Sequence, residues 1–248
     1  MIQNIPRLAS HFETISLSEM DNVKLLDRMD CKFYFRLEKL DGVLAEMLPY
    51  YRLLEVNGIN LQRYESPYFD TENFSLYTHH QNGKKNRYKI RFRNYMDSNL
   101  CFFEIKHKNN KSRTIKHRLK TNHMDLDAVV KNFLLEKIPL LKSLLQKILI
   151  VNYSRLTFVN ISSCERVTID LSLSFKNNRS QKDFSNLVIA EVKQDKSTLT
   201  SAFIKVMHQQ KIIEGGISKY CLGIASLYNQ VKTNHFKEKL NRIKKLIV

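Results

Sequence analysis

The segment "NRYKIRFRNY", residues 86–95, places Arg87, Lys89, Arg91 and Arg93 on every second position, with Tyr88, Ile90 and Phe92 between them. Successive side chains of a β-strand point to opposite faces, so this stretch predicts a strand with four cations on one face and an apolar surface on the other. Cations at that spacing repel, and forming a sheet does not require them. The alternation recurs along the chain. Segment 28–36 sets Arg28, Asp30, Lys32 and Arg36 against Met29, Cys31, Phe33 and Phe35, while 102–108 carries Glu104, Lys106 and Lys108, and 114–118 carries Lys116 and Arg118. Further on, Arg155 and Thr157 oppose Leu156 and Phe158. Arg166, Thr168, Asp170 and Ser172 oppose Val167, Ile169 and Leu171, and Glu191 and Lys193 oppose Val188, Ala190 and Val192.

Two arrangements satisfy this pattern. In one, an antiparallel sheet carries helices on its apolar face and water on its charged face. In the other, the charged faces turn inward. Two features favour the second. Arginine, whose planar fork binds phosphate bidentately, holds the central positions. Single acids (Asp30, Glu104, Asp170, Glu191) also recur among the cations, as a site for phosphate oxygens and a divalent metal requires. If the sheet closes with these faces inward, the fold class is α+β: an antiparallel β-barrel forming a tunnel, with amphipathic helices around it. A bound polyanion would offset the repulsion inside.

The remaining segments fit an antiparallel α+β order. The first 25 residues read as mostly helical, ending near "MDNVKLL". A helix is expected through "LEKLDGVLAEMLPYY", and then a strand, "LQRYESPYFD", kept near an edge or bulge by Pro67. Thr71 caps a helix "ENFSLYTHHQ" that stops at Asn82-Gly83. "CFFEIKHK" and "RTIKHRLK" flank an Asn109-Asn110 hairpin turn. Helices are expected through "DLDAVVKNFLLEKIPLLKSLLQKIL", strands at "NYSRLTFVN", "CERVTIDLSLSF" and "LVIAEVKQD", and helices at "TLTSAFIKVMHQQKI" and "SKYCLGIASLYNQVK". The tail 235–248 reads as a solvated basic helix. No linker or repeat divides the chain, so residues 1–248 are taken as one domain.

The charge balance, 41 Lys+Arg against 24 Asp+Glu for a formal +17, points to a polyanionic partner: nucleic acid, an anionic membrane or free phosphates. A nucleic-acid module would want exposed aromatics among its cations. Here Phe33, Tyr88, Phe92 and Phe103 alternate to the other face and read as core, so no nucleic acid is expected. Four scattered cysteines without a CxxC pair exclude a zinc ribbon and a thioredoxin-like site and suit a reducing cytosol. The first 20 residues lack an apolar core and cleavage site, and "IPLLKSLLQKILIV" is broken by Lys142, Ser143, Gln146 and Lys147. No signal peptide or transmembrane segment is expected, and the location is read as cytoplasmic. His79-His80 lie side by side on a helix and face different directions, and "NGKKNR" lacks P-loop spacing.

The ordered run "RMDCKF", "YFDT", "RYKIRFRNY", "FFEIKHK", "NYSR", "RVTIDLSL", "AEVK" and "SKYCLG" resembles the VTC-type polyphosphate polymerase domain. This is the catalytic part of the vacuolar transporter chaperone complex, which also occurs in bacteria and belongs to the triphosphate tunnel metalloenzymes with the CYTH phosphatases and cyclases. The likeness spans about residues 20–228. Each motif is short; their order gives the specificity. The resemblance implies that Lys32, Arg91, Arg93, Lys106, Arg155, Arg166 and Lys219 grip phosphate and that Glu191 holds a metal, Mn²⁺ or Mg²⁺. Glu104 and Asp170 are further metal candidates. Arg28, Lys89, Lys116, Arg118 and Lys193 are added as substrate-binding from the strand faces.

It further implies transfer of the γ-phosphate of ATP to a growing inorganic polyphosphate, releasing ADP. The acceptor oxygen is already ionised, so no strong general base is needed. ATP, polyphosphate, pyrophosphate and orthophosphate are the expected partners, with a peripheral or membrane-protein partner as a further one. The alternatives are a triphosphate hydrolase of the same fold, or a polyphosphate- or nucleic-acid-binding module without turnover. CYTH enzymes carry ExExK on the first strand, whereas Arg28, Asp30 and Lys32 stand here, which disfavours a two-metal hydrolase. The eukaryotic inositol-phosphate-sensing module and membrane helices are not seen, so neither that regulation nor translocation is assumed.

Overall fold

A computed structural model of the chain describes residues 5–21, 28–111, 113–139, 141, 144–195, 200–216 and 218–247. The elements are α1 (Ile5–Ala9), β1 (Thr14–Ile15), α2 (Leu17–Asp21), β2 (Arg28–Arg36), α3 (Leu40–Met47), β3 (Tyr51–Leu54), β4 (Gln62–Asp70), α4 (Ser75–Gln81), β5 (Arg87–Tyr95), β6 (Leu100–Lys108) and β7 (Thr114–Thr121). They continue with α5 (Ala128–Lys137), β8 (Gln146–Asn160), β9 (Glu165–Lys176), β10 (Gln181–Phe184), β11 (Leu187–Asp195), α6 (Ala202–Gln209), α7 (Lys219–Leu227) and α8 (Lys237–Ile247). The main path of the sheet runs β2-β11-β9-β8-β4-β5-β6-β7, every neighbour antiparallel. The α+β class is as expected, but the closed barrel is not seen. Among the described residues, β2 and β7 do not pair with each other. The sheet instead curls until side chains from both ends line one cavity.

Period-two alternation decides what lies on each side of the curl. On the convex face, Phe33, Phe158, Val167, Ile169, Val188 and Ala190 pack under α1, α3 and α6. Ile90, Phe92, Phe103 and Ile105 pack under α5. Each of these buried side chains except Ala190 contributes roughly 1.5–3 kcal/mol of transfer free energy. Two of the helices that cover them, α5 and α6, begin on side-chain caps. Asp127 accepts from Val130 N at 2.8 Å, and Ser201 accepts from Ile204 N at 3.1 Å. On the concave face, α7 runs into one end of the trough, where Tyr220, Leu222 and Ile224 pack against Leu149, Leu173 and Phe175. That approach needs Gly223, because a Cβ there would meet Phe175 Cδ1 at 2.6 Å and Leu149 Cδ2 at 2.7 Å.

Several local expectations are corrected. The N-terminal region is two short helices around β1, and the predicted helix end at 22–27 lies outside the described residues. The helix over 37–51 stops at Met47, after a 3-10 turn at Leu37–Lys39, and Tyr51 opens β3. The helical reading of 125–149 holds only for α5. Residues from Gln146 belong to the 15-residue β8, because the β-branched Ile150 and Val151 pair with Pro67 and Ser66 of β4 on one side and with Lys176 and Phe175 of β9 on the other. Pro67 sits in a central strand, at an interruption of the β4–β5 ladder and beside a register shift at Tyr68/Phe69, so the bulge half of that expectation stands and the edge half does not.

Helix α4 starts at Ser75, later than read, after Phe74 in a left-handed conformation. Thr71 Oγ1 accepts from Ser75 N, while the buried Asp70 carboxylate accepts from Leu76 N and Tyr77 N. Finally, α8 is not solvated all round. Ile243 is 1% exposed, and Leu240 and Leu246 pack beside it against the cluster that holds Tyr34 and Ile189. No helix among the described residues is long and apolar enough to cross a membrane.

Candidate functional site

The concave face encloses a cavity of about 240 Å³. Alternation on β5 turns Lys89, Arg91 and Arg93 into it together, and their neighbours across the sheet follow from the register. Lys89 is opposite Lys106, which is opposite Lys116, and Arg91 is opposite Glu104. From the other end, β2 and β11 bring Lys32, Glu191 and Lys193, with Lys32 opposite Glu191. The centre of the sheet supplies Arg155, and the first residue of α7 supplies Lys219. Ser218 caps that helix by accepting from Cys221 N at 3.1 Å, which fixes where Lys219 enters. Nine cations therefore line the cavity, against the two carboxylates of Glu104 and Glu191.

Three acids hold the cations in place. Glu104, whose side chain is 2% exposed, accepts through Oε2 from Arg91 Nη2 at 2.8 Å and through Oε1 from Lys116 Nζ at 2.6 Å and Arg118 Nη2 at 3.0 Å. Asp170, 3% exposed, accepts from Arg155 Nε at 2.6 Å and Nη2 at 2.9 Å, and from Lys219 Nζ. Glu191 takes Lys32 Nζ at 2.6 Å on one oxygen and Lys193 Nζ on the other, and Lys193 also reaches Asp30 at 3.0 Å. Arg155–Asp170, Arg91–Glu104 and Lys32–Glu191 are all direct cross-strand neighbours. Register, not loop geometry, builds the site.

The acids stay ionised. Burial pushes each carboxyl up, but Arg91 and Arg93 hold Glu104 well below the usual range. Arg155 and Lys219 bring Asp170 down to about 2, and Lys32 and Lys193 keep Glu191 well below its ordinary value. The lysines move the other way. Desolvation, with neighbouring Arg91 and Lys32 as lesser contributors, brings Lys89 down to about 8. Burial opposed by Glu104 brings Lys116 to about 8, and burial reinforced by Lys89 does the same for Lys106. Lys106 and Lys116 are exposed, whereas Lys89 is half-buried.

Among the residues the sequence pointed to, the cavity gathers Lys32, Lys89, Arg91, Arg93, Lys106, Lys116, Arg155, Lys193, Lys219, Glu104 and Glu191. It does not gather the others. Arg118 stands behind Glu104, with its guanidinium 4.4 Å from the Phe102 ring. Asp170 lies beneath Arg155. Arg166 is at the rim, opposite Lys193, and donates to Met20 O at 3.2 Å. Arg28 pairs through its backbone with Asp195 at the end of β2, and its side chain lies outside the described residues. Arg87 donates to Lys84 O at 2.6 Å and lies outside the lining.

The residue-by-residue reading missed two tyrosines. Arg91 Nη1 donates to Tyr68 Oη at 2.6 Å. Tyr153 stacks on Tyr64 with ring centroids 5.0 Å apart, and Arg155 and Lys219 lie over its ring at 5.3 and 4.8 Å. Burial opposes ionisation of the Tyr153 phenol, yet Arg93 and Arg155 bring it below its ordinary value. Both tyrosines line the cavity. Period two would have found Tyr153, which is two residues before Arg155 on the same face.

Solved structures are similar to this chain at low sequence identity, and one of them superposes with a TM-score above 0.5. A proposed adenylate cyclase from Bacillus halodurans is 13% identical and superposes with a TM-score of 0.53, covering 82% of this chain and 98% of its own. A proposed adenylate cyclase from Vibrio parahaemolyticus is 12% identical, with a TM-score of 0.46 and 77% and 95% of the two chains covered. A proposed adenylyl cyclase from Hippeastrum, described with a dominant triphosphatase activity, is 10% identical at 0.48, with 80% and 96% covered. No curated protein matches the chain significantly. The family model described as VTC domain matches residues 27–228, which include every cation and carboxylate lining the cavity, and the chain belongs to the VTC domain family.

Proposed function

We propose that the chain is an ATP-dependent polyphosphate polymerase that transfers the γ-phosphate of ATP to the end of an inorganic polyphosphate and releases ADP. The observation that carries this reading is nine cations converging on one cavity that two carboxylates cannot neutralise, in a chain of the VTC domain family. Phosphoryl transfer demands positioning and charge neutralisation more than covalent chemistry. In this reading residues 1–248 act as one tunnel domain, and the curled sheet is a tunnel for phosphate chains.

The geometry supports the following roles. Arg91, Arg93 and Arg155 present guanidinium donors to nonbridging oxygens, and Arg166 does so at the rim. Lys32, Lys89, Lys106, Lys116, Lys193 and Lys219 act as point charges along the chain, and Tyr68 and Tyr153 keep the arginines in orientation. Arg118 assists from behind Glu104, and Arg28 is retained as a substrate-binding residue. The acceptor phosphate oxygen is the nucleophile and needs no base.

A divalent ion, Mg²⁺ or Mn²⁺, fits only one of the three acids. Cations engage both oxygens of all three, but Glu104 and Asp170 are only 2–3% exposed, whereas Glu191 is 22% exposed and is held by two lysines alone. Among the described residues no group of three His, Cys, Asp or Glu could hold an ion alone. One carboxylate completed by substrate phosphate oxygens and water is a normal Mg²⁺ environment. The ion would neutralise charge developing on the transferred group.

Incubation of the purified chain with ATP and Mn²⁺ or Mg²⁺ tests the reading. Lengthening polyphosphate with ADP release supports it. Orthophosphate release alone would assign a triphosphate hydrolase instead.

A further inference from the structure

A second cationic depression, of about 130 Å³, lies on the outer surface where β2, the segment after α6 and α8 meet. Its lining includes Arg36, Lys39, Lys211 and Arg242, over a floor of Tyr34, Phe35 and Ile212. None of the described lining residues is acidic. Glu38, the carboxylate nearest to it in the recorded ion pairs, stands 3.9 Å from Arg36 Nη1.

Three of the four cations are held by neutral backbone acceptors. Arg36 Nη2 donates to Lys245 O at 3.3 Å, Lys39 Nζ to Gln210 O at 2.8 Å, and Arg242 Nη2 to Ile213 O at 3.4 Å. The Arg242 guanidinium also lies 5.0 Å from the Tyr34 ring centroid. Arginine has five N–H donors and lysine three, so each group keeps donors in reserve while its direction is fixed. Carbonyls orient these side chains without cancelling their charge.

We propose that this depression is an external oligophosphate site, taking a pyrophosphate-sized anion or the equivalent end of a longer phosphate chain. Four positive groups around an apolar floor match two adjacent phosphates. The depression, at about 130 Å³ against about 240 Å³ for the cavity, has room for a small anion between its cations. The site shares a wall with the cavity. Gly215 N donates to Lys32 O at 2.8 Å, and a Cβ on Gly215 would meet Tyr34 Cε1 at 3.3 Å and Arg242 Nη1 at 3.5 Å. An anion on Arg242 therefore sits one residue layer from Lys32. The proposal stands on this charge geometry and does not require turnover in the cavity.

Calorimetric titration with inorganic pyrophosphate, without ATP, tests it on the wild type and on a Lys211→Asn/Arg242→Gln variant. Lys211 is exposed at φ 54°, a conformation Asn tolerates. Lys39→Gln serves as a second, single variant, and unchanged circular dichroism melting confirms folding. The wild type should bind two pyrophosphates and the double variant one. One for the wild type and none for the variant upholds the external site and removes the cavity reading. Equal stoichiometry and affinity in all three proteins overturns the proposal. A parallel titration with long-chain polyphosphate distinguishes the sources: about tenfold weaker binding by the variants with this ligand alone assigns the site to the chain end.

Discussion

Replacing Glu104 by Gln keeps the shape of the side chain and removes the charge around which four cations are arranged. Arg91 and Arg93 are 20% and 13% exposed, while Lys116 and Arg118 are 39% and 40% exposed and regain hydration when the carboxylate is lost. The cost is therefore set by the two arginines. Removing one partner from a buried pair costs about 3–5 kcal/mol, which for a chain of this size lowers Tm by about 6–20 °C. A polyanion reverses the sign of the argument. Phosphate and Glu104 compete for Arg91, so the variant should bind tripolyphosphate more tightly than the wild type. Each tenfold gain in affinity returns about 1.4 kcal/mol. Urea denaturation with and without saturating tripolyphosphate measures both halves. The stability gap should be wide for the free proteins and narrower for the bound ones. Two results refute the reasoning: a free variant as stable as the wild type, or a gap that tripolyphosphate leaves unchanged.

Four further outcomes are expected. Because the folded-state pKa of Lys89 lies at about 8, below its unfolded value, the unfolded chain holds more protons from there upward. Stability of the free protein should rise between about pH 8 and pH 10, while tripolyphosphate affinity falls over the same range; parallel trends in denaturation and calorimetry would contradict this. Glu191→Ala should keep the fold by circular dichroism and lower metal-dependent turnover by about 100-fold, and unchanged turnover would remove the metal assignment. Ile243→Ala should cost about 2–5 kcal/mol in urea if α8 is docked as described, and next to nothing if the tail is free. Gly223→Ala should cost about 1–3 kcal/mol by overpacking against Phe175 and Leu149, measured the same way.

Strands with one charged face were legible because alternation is a local signal. The spans 28–36 and 187–195 coincide with β2 and β11, and the hairpin of β6 and β7 turns where the two asparagines stand. Cavity residues could be found by the same count of two, and most of the cations were. Three features could not be read this way. Residues 146–149 carry a helix-compatible pattern of Leu, Lys and Ile, and only pairing with β4 makes them a strand. The tail's basic period hides its apolar stripe, whose burial depends on Tyr34 and Ile189, residues remote in sequence. Closure was inferred from charge facing inward, but inward-facing charge needs only a curl. Arg166 and Arg118 show the same limit on a smaller scale, since parity gives the face of a strand and not the distance along it.

The acids of the cavity are best understood as counter-ions before they are considered as ligands. Nine cations in an empty low-dielectric trough would oppose folding, and the chain must fold before it meets phosphate. Glu104 and Asp170 relieve that repulsion at fixed cross-strand positions and stay ionised, so they also preset the directions of Arg91 and Arg155. Their depth prevents them from following an incoming anion. Glu191 is in a different position. It is shared between two lysine ammoniums, each a flexible point charge, and it faces the cavity. Under the proposed function, phosphate oxygens that attract Lys32 and Lys193 would release this carboxylate toward the substrate. The acid that serves an empty site as a counter-ion then becomes the one able to share a cation with a full one, so loss of Glu191 should weaken metal-dependent binding of tripolyphosphate more than metal-free binding.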